Sequence, residues 1–360
     1  MLFILFSAFL EKVPNIFRYL TFRTMAALVT AFLISFSCGP AFIRYVKKYQ
    51  KEGQPIRAEV PTHHSLEKKS TPTMGGGLLL MALTFSTMIW TDLQNKTIWI
   101  VLGIALFYGG IGFCDDFLKL SRRNTKGLRG IYKLLLQAAS AFVAVHYAQT
   151  LWPESLVSHV TFPFFKNLLL DLSWAFPLFA AFVIVGASNA VNLTDGLDGL
   201  AIAPMIIGAT CFGLISYLGG NAKFAVYLQI PFISGCGELC VLCGALVGAG
   251  LGFLWYNAPP AMIIMGDTGS LALGGAIGMI SVITKHEIVL AIIGGLFVLE
   301  TVSVIIQVGY FKLTKKRIFL MAPIHHHFEK KGWKEQTVMV RFWIISIMFA
   351  LAGLSTLKLR

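Results

Sequence analysis

From residue 21 to the end of the chain, apolar residues come in blocks of roughly 17–22, separated by short polar links. A bilayer imposes this spacing on any helix that crosses it. In hydrocarbon the backbone N–H and C=O groups must be satisfied within the segment, and about twenty residues of helix are needed to span it. Ten blocks fit, at about 21–38, 75–91, 98–114, 131–149, 174–190, 200–218, 238–256, 269–284, 288–310 and 338–357. Gly39-Pro40 reads as the end of the first block. Residues 1–18 are broken by Glu11, Lys12 and Pro14 and lack a basic leader, so they read as an interfacial helix rather than a removed signal peptide. The fold expected is all-α, a polytopic membrane protein of about ten transmembrane helices forming one integral domain over residues 1–360. Only 13% of residues are charged, against about 25% in soluble domains, and 56% are hydrophobic.

The formal net charge of +13 is first a statement about orientation. Links 44–70, 117–133 and 312–341 hold 7, 6 and 8 Lys/Arg, which is 21 of the chain's 30. By the positive-inside rule these links are cytoplasmic, and ten spans then put both termini outside, on the periplasmic face. Charge divided among loops, with no soluble module to carry it, is a poor fit to nucleic-acid binding. Cys236, Cys240 and Cys243 lie close together in an apolar run without a nearby histidine, which fits helix packing better than a metal site.

The chemistry begins at Asp115-Asp116, two adjacent carboxylates directly after an apolar run. A carboxylate in or beside hydrocarbon is costly, and one that survives there marks a functional site by default. The bland alternative is a helix that has simply reached water. Against it, Asp115/Asp116, Asp195/Asp198, Asp267 and His325-His326-His327 fall in four separate links, all on the predicted cytoplasmic side. Polar residues that only marked helix ends would divide between both faces. Three hard oxygen ligands near one surface, Asp115, Asp116 and Asp267, suit Mg²⁺ or Mn²⁺. Gly266-Asp267-Thr268-Gly269-Ser270 opens a span, which places free N–H groups and a positive dipole end beside a phosphate-sized gap. Asn192 to Gly199 lacks the calcium-loop pattern, and its short polar side chains between glycines fit hydrogen bonding to a sugar or base. Three consecutive histidines cannot all converge on one ion from a regular element, so they read as phosphate donors mixed with structural contacts. Lys68, Lys119 and Lys126 could attract a polyanionic substrate, or could simply be inside charge. Together these features argue phosphoryl transfer between a soluble phosphate compound and a lipid, a reaction for which a protein supplies mainly positioning and electrostatics.

Thr71-Pro72-Thr73-Met74-Gly75-Gly76, Asp115-Asp116, the Asn192–Gly199 run, Gly266 to Ser270 and Met321 to Glu329 together resemble the phospho-N-acetylmuramoyl-pentapeptide transferase family. That family belongs to the polyprenyl-phosphate N-acetylhexosamine-1-phosphate transferase superfamily. The likeness runs from Tyr19 to the end of the chain, and the Pro323–Glu329 segment points to the muramoyl branch. It implies transfer of phospho-MurNAc-pentapeptide from UDP-MurNAc-pentapeptide to undecaprenyl phosphate, giving lipid I and UMP. It also implies Mg²⁺ as cofactor, the bacterial cytoplasmic (inner) membrane as location, and a homodimer. On the same ground Asp267 and Asp116 are expected to engage Mg²⁺, and Asp115 to act as a base on the lipid phosphate or as a nucleophile. Lys68, Thr73, Lys119, Asn192, Asp195, Asp198, Asn257, Ser270, His325, His326 and His327 match positions tied to nucleotide, sugar or diphosphate binding. Relatives commonly carry an aromatic residue where this chain has Ile264, which puts base stacking there in question. Two rivals remain. A transferase using UDP-GlcNAc is disfavoured by the histidine segment. An ion-coupled transporter is disfavoured because the carboxylates sit at span ends with no visible repeat.

Overall fold

The computed structural model describes residues 15–50, 71–122, 127–165 and 168–358. Lys68 and Lys126 lie outside these residues, as does most of the expected N-terminal interfacial helix. Among the described residues there are thirteen α-helices. They are α1 Leu20–Tyr49, α2 Gly76–Trp90, α3 Lys96–Ser121, α4 Gly130–Gln149 and α5 Phe176–Thr194. There follow α6 Ile202–Gly219, α7 Ala222–Leu228, α8 Leu239–Asn257, α9 Gly266–Ile283 and α10 Glu287–Ile293, then α11 Gly295–Thr314, α12 Ile324–Lys330 and α13 Glu335–Ser355. Nine of them are long and apolar enough to cross a membrane, and α2 is a shorter apolar helix of 15 residues. The chain is an all-α polytopic membrane protein. One small hairpin interrupts the helices: β1 His159–Thr161 pairs antiparallel with β2 Leu169–Asp171, Val160 facing Leu170.

Two expectations are corrected. The first span does not stop at Gly39-Pro40, because α1 runs through both residues to Tyr49. Proline removes the N–H that would bond the carbonyl four residues back, and the orphaned Phe36 carbonyl instead accepts from the Tyr256 hydroxyl at 2.7 Å. Gly39 lies against the ring of that same tyrosine, where a Cβ would overlap it. The pair is therefore a helix-packing joint. The ninth span is also not one helix, since α10 and α11 are separated at Gly294.

α9 forms the centre, with every residue from Thr268 to Ile283 buried. Lipid tails are as apolar as leucine, so helices in a membrane associate through close backbone approach rather than through hydrophobic contrast. Gly274 and Gly278 of α9 meet the α5 backbone at Ala187–Ser188 and Ile184, and Gly275 meets the Tyr108 ring of α3. Likewise Gly244, Gly248 and Gly252, one per turn of α8, press on Thr24, Leu28 and Phe32–Ser35 of α1. A buried polar network ties α3, α4, α5 and α9 below the site. Tyr108 Oη donates to the Gln137 carbonyl at 2.8 Å, Asn189 Nδ2 donates to Gln137 Oε1 at 2.9 Å, and Ser188 Oγ donates to the Leu271 carbonyl at 2.9 Å.

Candidate functional site

α3 continues to Ser121, so Asp115 and Asp116 sit inside a helix rather than after one. Adjacent helical side chains point about 100° apart, and the two carboxylates take different neighbours. Asp116, fully buried, reaches the N-terminus of α9. Its Oδ2 accepts from Thr268 N at 3.0 Å and Thr268 Oγ1 at 2.8 Å, and its Oδ1 accepts from Asp267 N at 3.3 Å. The leading N–H groups of α9, expected to stay open for phosphate, are thus capped by Asp116. Asp115 turns the other way, its Oδ1 accepting from Leu128 N at 2.7 Å and its Oδ2 pairing with Lys119 Nζ at 2.6 Å, one turn on.

Asp267 completes the group. Its Oδ2 accepts from Lys133 Nζ at 2.6 Å and Lys119 Nζ at 3.1 Å, and its Oδ1 accepts from Asn192 Nδ2 at 2.7 Å. Asn192 Nδ2 also donates to Ser270 Oγ at 2.8 Å, which brings the Asn192–Gly199 run onto α9. α3 and α9 approach this closely because Gly112 lies against the Asp267 carbonyl, leaving no room for a Cβ. Gly266 has a φ of 72°, the left-handed region that glycine enters freely. A Cβ there would stand 2.8 Å from both Asp116 Oδ2 and Thr73 Oγ1.

The Thr71–Gly76 segment runs beside this turn. Ile264 N donates to the Pro72 carbonyl, Gly75 N to the Ile264 carbonyl and Gly76 N to the Met265 carbonyl, each at 2.9 Å. Gln50, at the end of α1, accepts from Thr73 N at 2.9 Å. Thr73 itself is buried, and among the described residues its hydroxyl has no hydrogen-bond partner. Ile264 is therefore engaged through its backbone in holding the strand-like segment.

Other residues singled out in the sequence hold the turn after α5. Asp195 caps α5 and is half-buried. Asp198 Oδ2 accepts from Ala261 N at 3.0 Å, and Asn257 Oδ1 accepts from Gly199 N at 3.0 Å. Asn257 Nδ2 donates to the Ile263 carbonyl at 2.9 Å. In α12, His325 is fully buried under Gly196, whose missing Cβ makes room for the imidazole. The His326 Nδ1 lies 2.6 Å from Glu329 Oε2. Burial pushes the His326 imidazole below its ordinary value, with Glu329 pulling the other way. His327 Nδ1 accepts from Leu320 N at 3.1 Å.

Sequence reasoning missed Lys133, which sits in the core of the site, and Gln50, Glu300, Glu329 and Glu335 around it. Lys133 was one of six basic residues in a link whose charge the positive-inside rule already explains. The only signal was its place in the first turn of α4, and that becomes informative only once α4 is known to stand beside α3 and α9.

One oxygen from each of Asp115, Asp116 and Asp267 lies within 4.8 Å of the others. A Mg²⁺-sized ion holds its ligands at about 2.1 Å, so opposite ligands stand about 4.2 Å apart. Small carboxylate rotations would bring the three into one shell, and hard oxygens suit such an ion. Among the described residues the three carboxylates face two ammonium groups, Lys119 and Lys133, so three acidic groups stand against two basic ones there. The group fits a divalent metal.

Residues 98–285 match the model of glycosyl transferase family 4. The chain is 60% identical over 346 residues to a phospho-N-acetylmuramoyl-pentapeptide-transferase of Granulibacter bethesdensis, covering 96% of each protein. It is 59% identical over 348 residues to the protein of that name from Gluconacetobacter diazotrophicus, covering 97% of this chain and 96% of the relative. With identity at that level running from end to end, and with acids from α3 and α9 meeting as the motifs require, the chain belongs to the phospho-N-acetylmuramoyl-pentapeptide-transferase family.

Proposed function

We propose that this chain transfers phospho-MurNAc-pentapeptide from UDP-MurNAc-pentapeptide to undecaprenyl phosphate, releasing UMP and leaving lipid I. The observation that carries this reading is the meeting of Asp115, Asp116 and Asp267 with Lys119 and Lys133 at one end of a membrane bundle. An oxygen of the lipid phosphate attacks the sugar-linked phosphorus of the donor. The bond from that phosphorus to UMP breaks, and UMP leaves with the bridging oxygen. Asp115 takes the proton from the lipid phosphate, because its carboxylate faces away from the α9 cap that occupies Asp116. Asp267 and Asp116 would hold Mg²⁺, which supplies charge neutralisation at the diphosphate. Lys119 and Lys133 draw the phosphates toward Asp267; Lys68, a substrate-binding expectation from the sequence, lies outside the described residues.

Asn192, Asp195, Asp198, Asn257 and Ser270 shape the donor pocket, with Thr73 and the histidines 325–327 at its border. An apolar groove supports a lipid acceptor. It is lined by Phe182, Val183, Met205, Leu290 and Phe297 and runs along α5 to Val191, next to Asn192. The Lys/Arg-rich links support a site on the cytoplasmic face of the inner membrane with both termini outside, and in this reading the chain acts as one integral unit in a homodimer.

Purified protein with UDP-MurNAc-pentapeptide, undecaprenyl phosphate and Mg²⁺ should release UMP and form a lipid-linked product. Product from UDP-GlcNAc with none from the muramoyl donor would assign the chain to the neighbouring branch. Asp115→Asn separates base from nucleophile: exchange of labelled UMP into the donor, without lipid phosphate, should be unchanged from its wild-type level. Exchange that is present in wild type and lost in the variant would favour a covalent intermediate on Asp115.

A further inference from the structure

Glu300 lies in the second turn of α11, fully buried, inside a helix long and apolar enough to cross a membrane. A carboxylate there is expensive unless something opposes its charge. The side chain facing it is His325, also fully buried, with Nδ1 3.1 Å from Glu300 Oε1. The two atoms stand at pairing distance without lining up as a hydrogen bond. On its far side the same imidazole presents Nε2 to Gly196, where only a glycine leaves space for it. Gly196 follows Asp195 in the turn that Asp198, Asn257 and Glu335 brace from below. The His326 ring lies 4.1 Å from the His325 ring and is tethered to Glu329. Phe297, Val298, Thr301 and Val302 of α11 line the apolar groove, so Glu300 sits between that groove and the histidine segment.

We infer that Glu300 is a positioning residue, which fixes the Nδ1 side of His325 so that the imidazole props the Asp195–Gly199 turn in its donor-binding shape. The inference rests on the transferase reading and adds a residue that touches neither substrate. Opposing carboxylates orient imidazoles in this way in many sites, since the group held at one ring nitrogen determines which face and which proton the other presents. Losing Glu300 therefore perturbs the donor side of the reaction, whereas the groove for the lipid chain, lined by other residues of α11, keeps its shape.

The test is UMP release by the full-length protein in detergent, with UDP-MurNAc-pentapeptide and undecaprenyl phosphate varied separately, alongside calorimetric binding of the donor alone. Glu300→Ala should raise the donor KM and Kd about tenfold, the scale of a small misplacement in a preorganised site, and leave the acceptor KM within about twofold. Glu300→Gln keeps the volume and an acceptor oxygen and should fall between wild type and Glu300→Ala. Adding His325→Ala to Glu300→Ala should cost little more than the worse single change, because the two act as one unit. Equal rises in both KM values, or a double variant whose loss is the product of the singles, would overturn the inference. If Glu300→Ala does not fold, Glu300→Gln decides, and a wild-type donor Kd in that variant overturns it. Wild-type turnover tests the transferase reading, while the ratio of donor affinities tests this one.

Discussion

Asn in place of Asp267 changes the charge of that side chain while nearly keeping its volume. In the folded protein its Oδ2 accepts from two ammonium groups, and its Oδ1 accepts from Asn192. Asp267→Asn should cut kcat by about 10²–10³, the usual loss when one preorganised charge at a reacting centre is removed. Its thermal midpoint should stay within a few degrees of wild type, because an amide oxygen can still accept from the lysines. UMP release at saturating Mg²⁺ checks the first point and a melting curve the second. Near-normal turnover would take Asp267 out of the site. Lys133 carries more weight at this scale than its sequence context suggests, since it makes the shorter of the two ammonium contacts to Asp267.

Helices determine how close those side chains come. Gly76, at the start of α2, lies against the Gly269 backbone near the start of α9, so a Cβ would meet main chain that cannot swing aside. Gly76→Ala should destabilise the fold by about 1–3 kcal/mol through overpacking. It should also raise the Mg²⁺ concentration needed for half-maximal activity, because α9 carries Asp267 away from α3 when it shifts. A melting curve and a metal titration on the same preparation read both effects, and an unchanged titration would disconnect this glycine from the metal group. α1 makes the matching point about proline: Pro40 is tolerated mid-helix because a tyrosine from α8 takes the carbonyl it strands.

Across the whole molecule, two polar clusters hold the end opposite the site. Arg23 grips Glu238 through both terminal nitrogens, at 2.9 and 2.5 Å, and Glu238 also accepts from Asp92 N at 3.1 Å. Arg23→Met should destabilise by about 3 kcal/mol by leaving the carboxylate largely buried and unpaired. α1 then carries some 40 Å of helix before Gln50 touches Thr73, so kcat/KM at low temperature should be unchanged. A loss of activity matching the loss of stability would show the two ends to be coupled. Lys285 is fully buried between the Trp152 and Phe176 rings, its Nζ 3.6 and 3.8 Å from their centroids, and its carbonyl accepts from Thr161 of the hairpin. Burial draws its ammonium down to about 7 from an ordinary 10.5, with Glu287 pulling the other way. Between those values the unfolded chain binds more protons than the folded one, so this group makes stability rise with pH across that window, and below it the full penalty applies. The thermal midpoint of wild type relative to Lys285→Met should therefore climb from pH 7 to pH 9. A difference independent of pH would show the ammonium to be held charged throughout.

The bilayer acts on composition along the chain, and so the linear pattern was enough to determine the all-α polytopic class and to locate the apolar blocks, although the first helix runs on to Tyr49, the third to Ser121 and the ninth block is broken at Gly294. It also exposed Asp115, Asp116 and Asp267, because a carboxylate next to a long apolar run needs a reason that a surface carboxylate does not. Where a helix continues past such a residue depended on partners far away in the chain. Pro40 looked like a stop until Tyr256 came near it, and Gly294 broke a span that hydropathy left whole. Lys133, Glu300 and Glu329 were illegible for a related reason: a lysine in a basic loop or a lone glutamate has no local pattern, and its role comes from the side chain it meets. Asp198 stood out as a polar residue between glycines and Asn257 through the family resemblance, and only folding showed their side chains bonded to backbone groups of neighbouring turns. Hydrophobic length is written along one dimension, whereas the pairing of charges is decided in three.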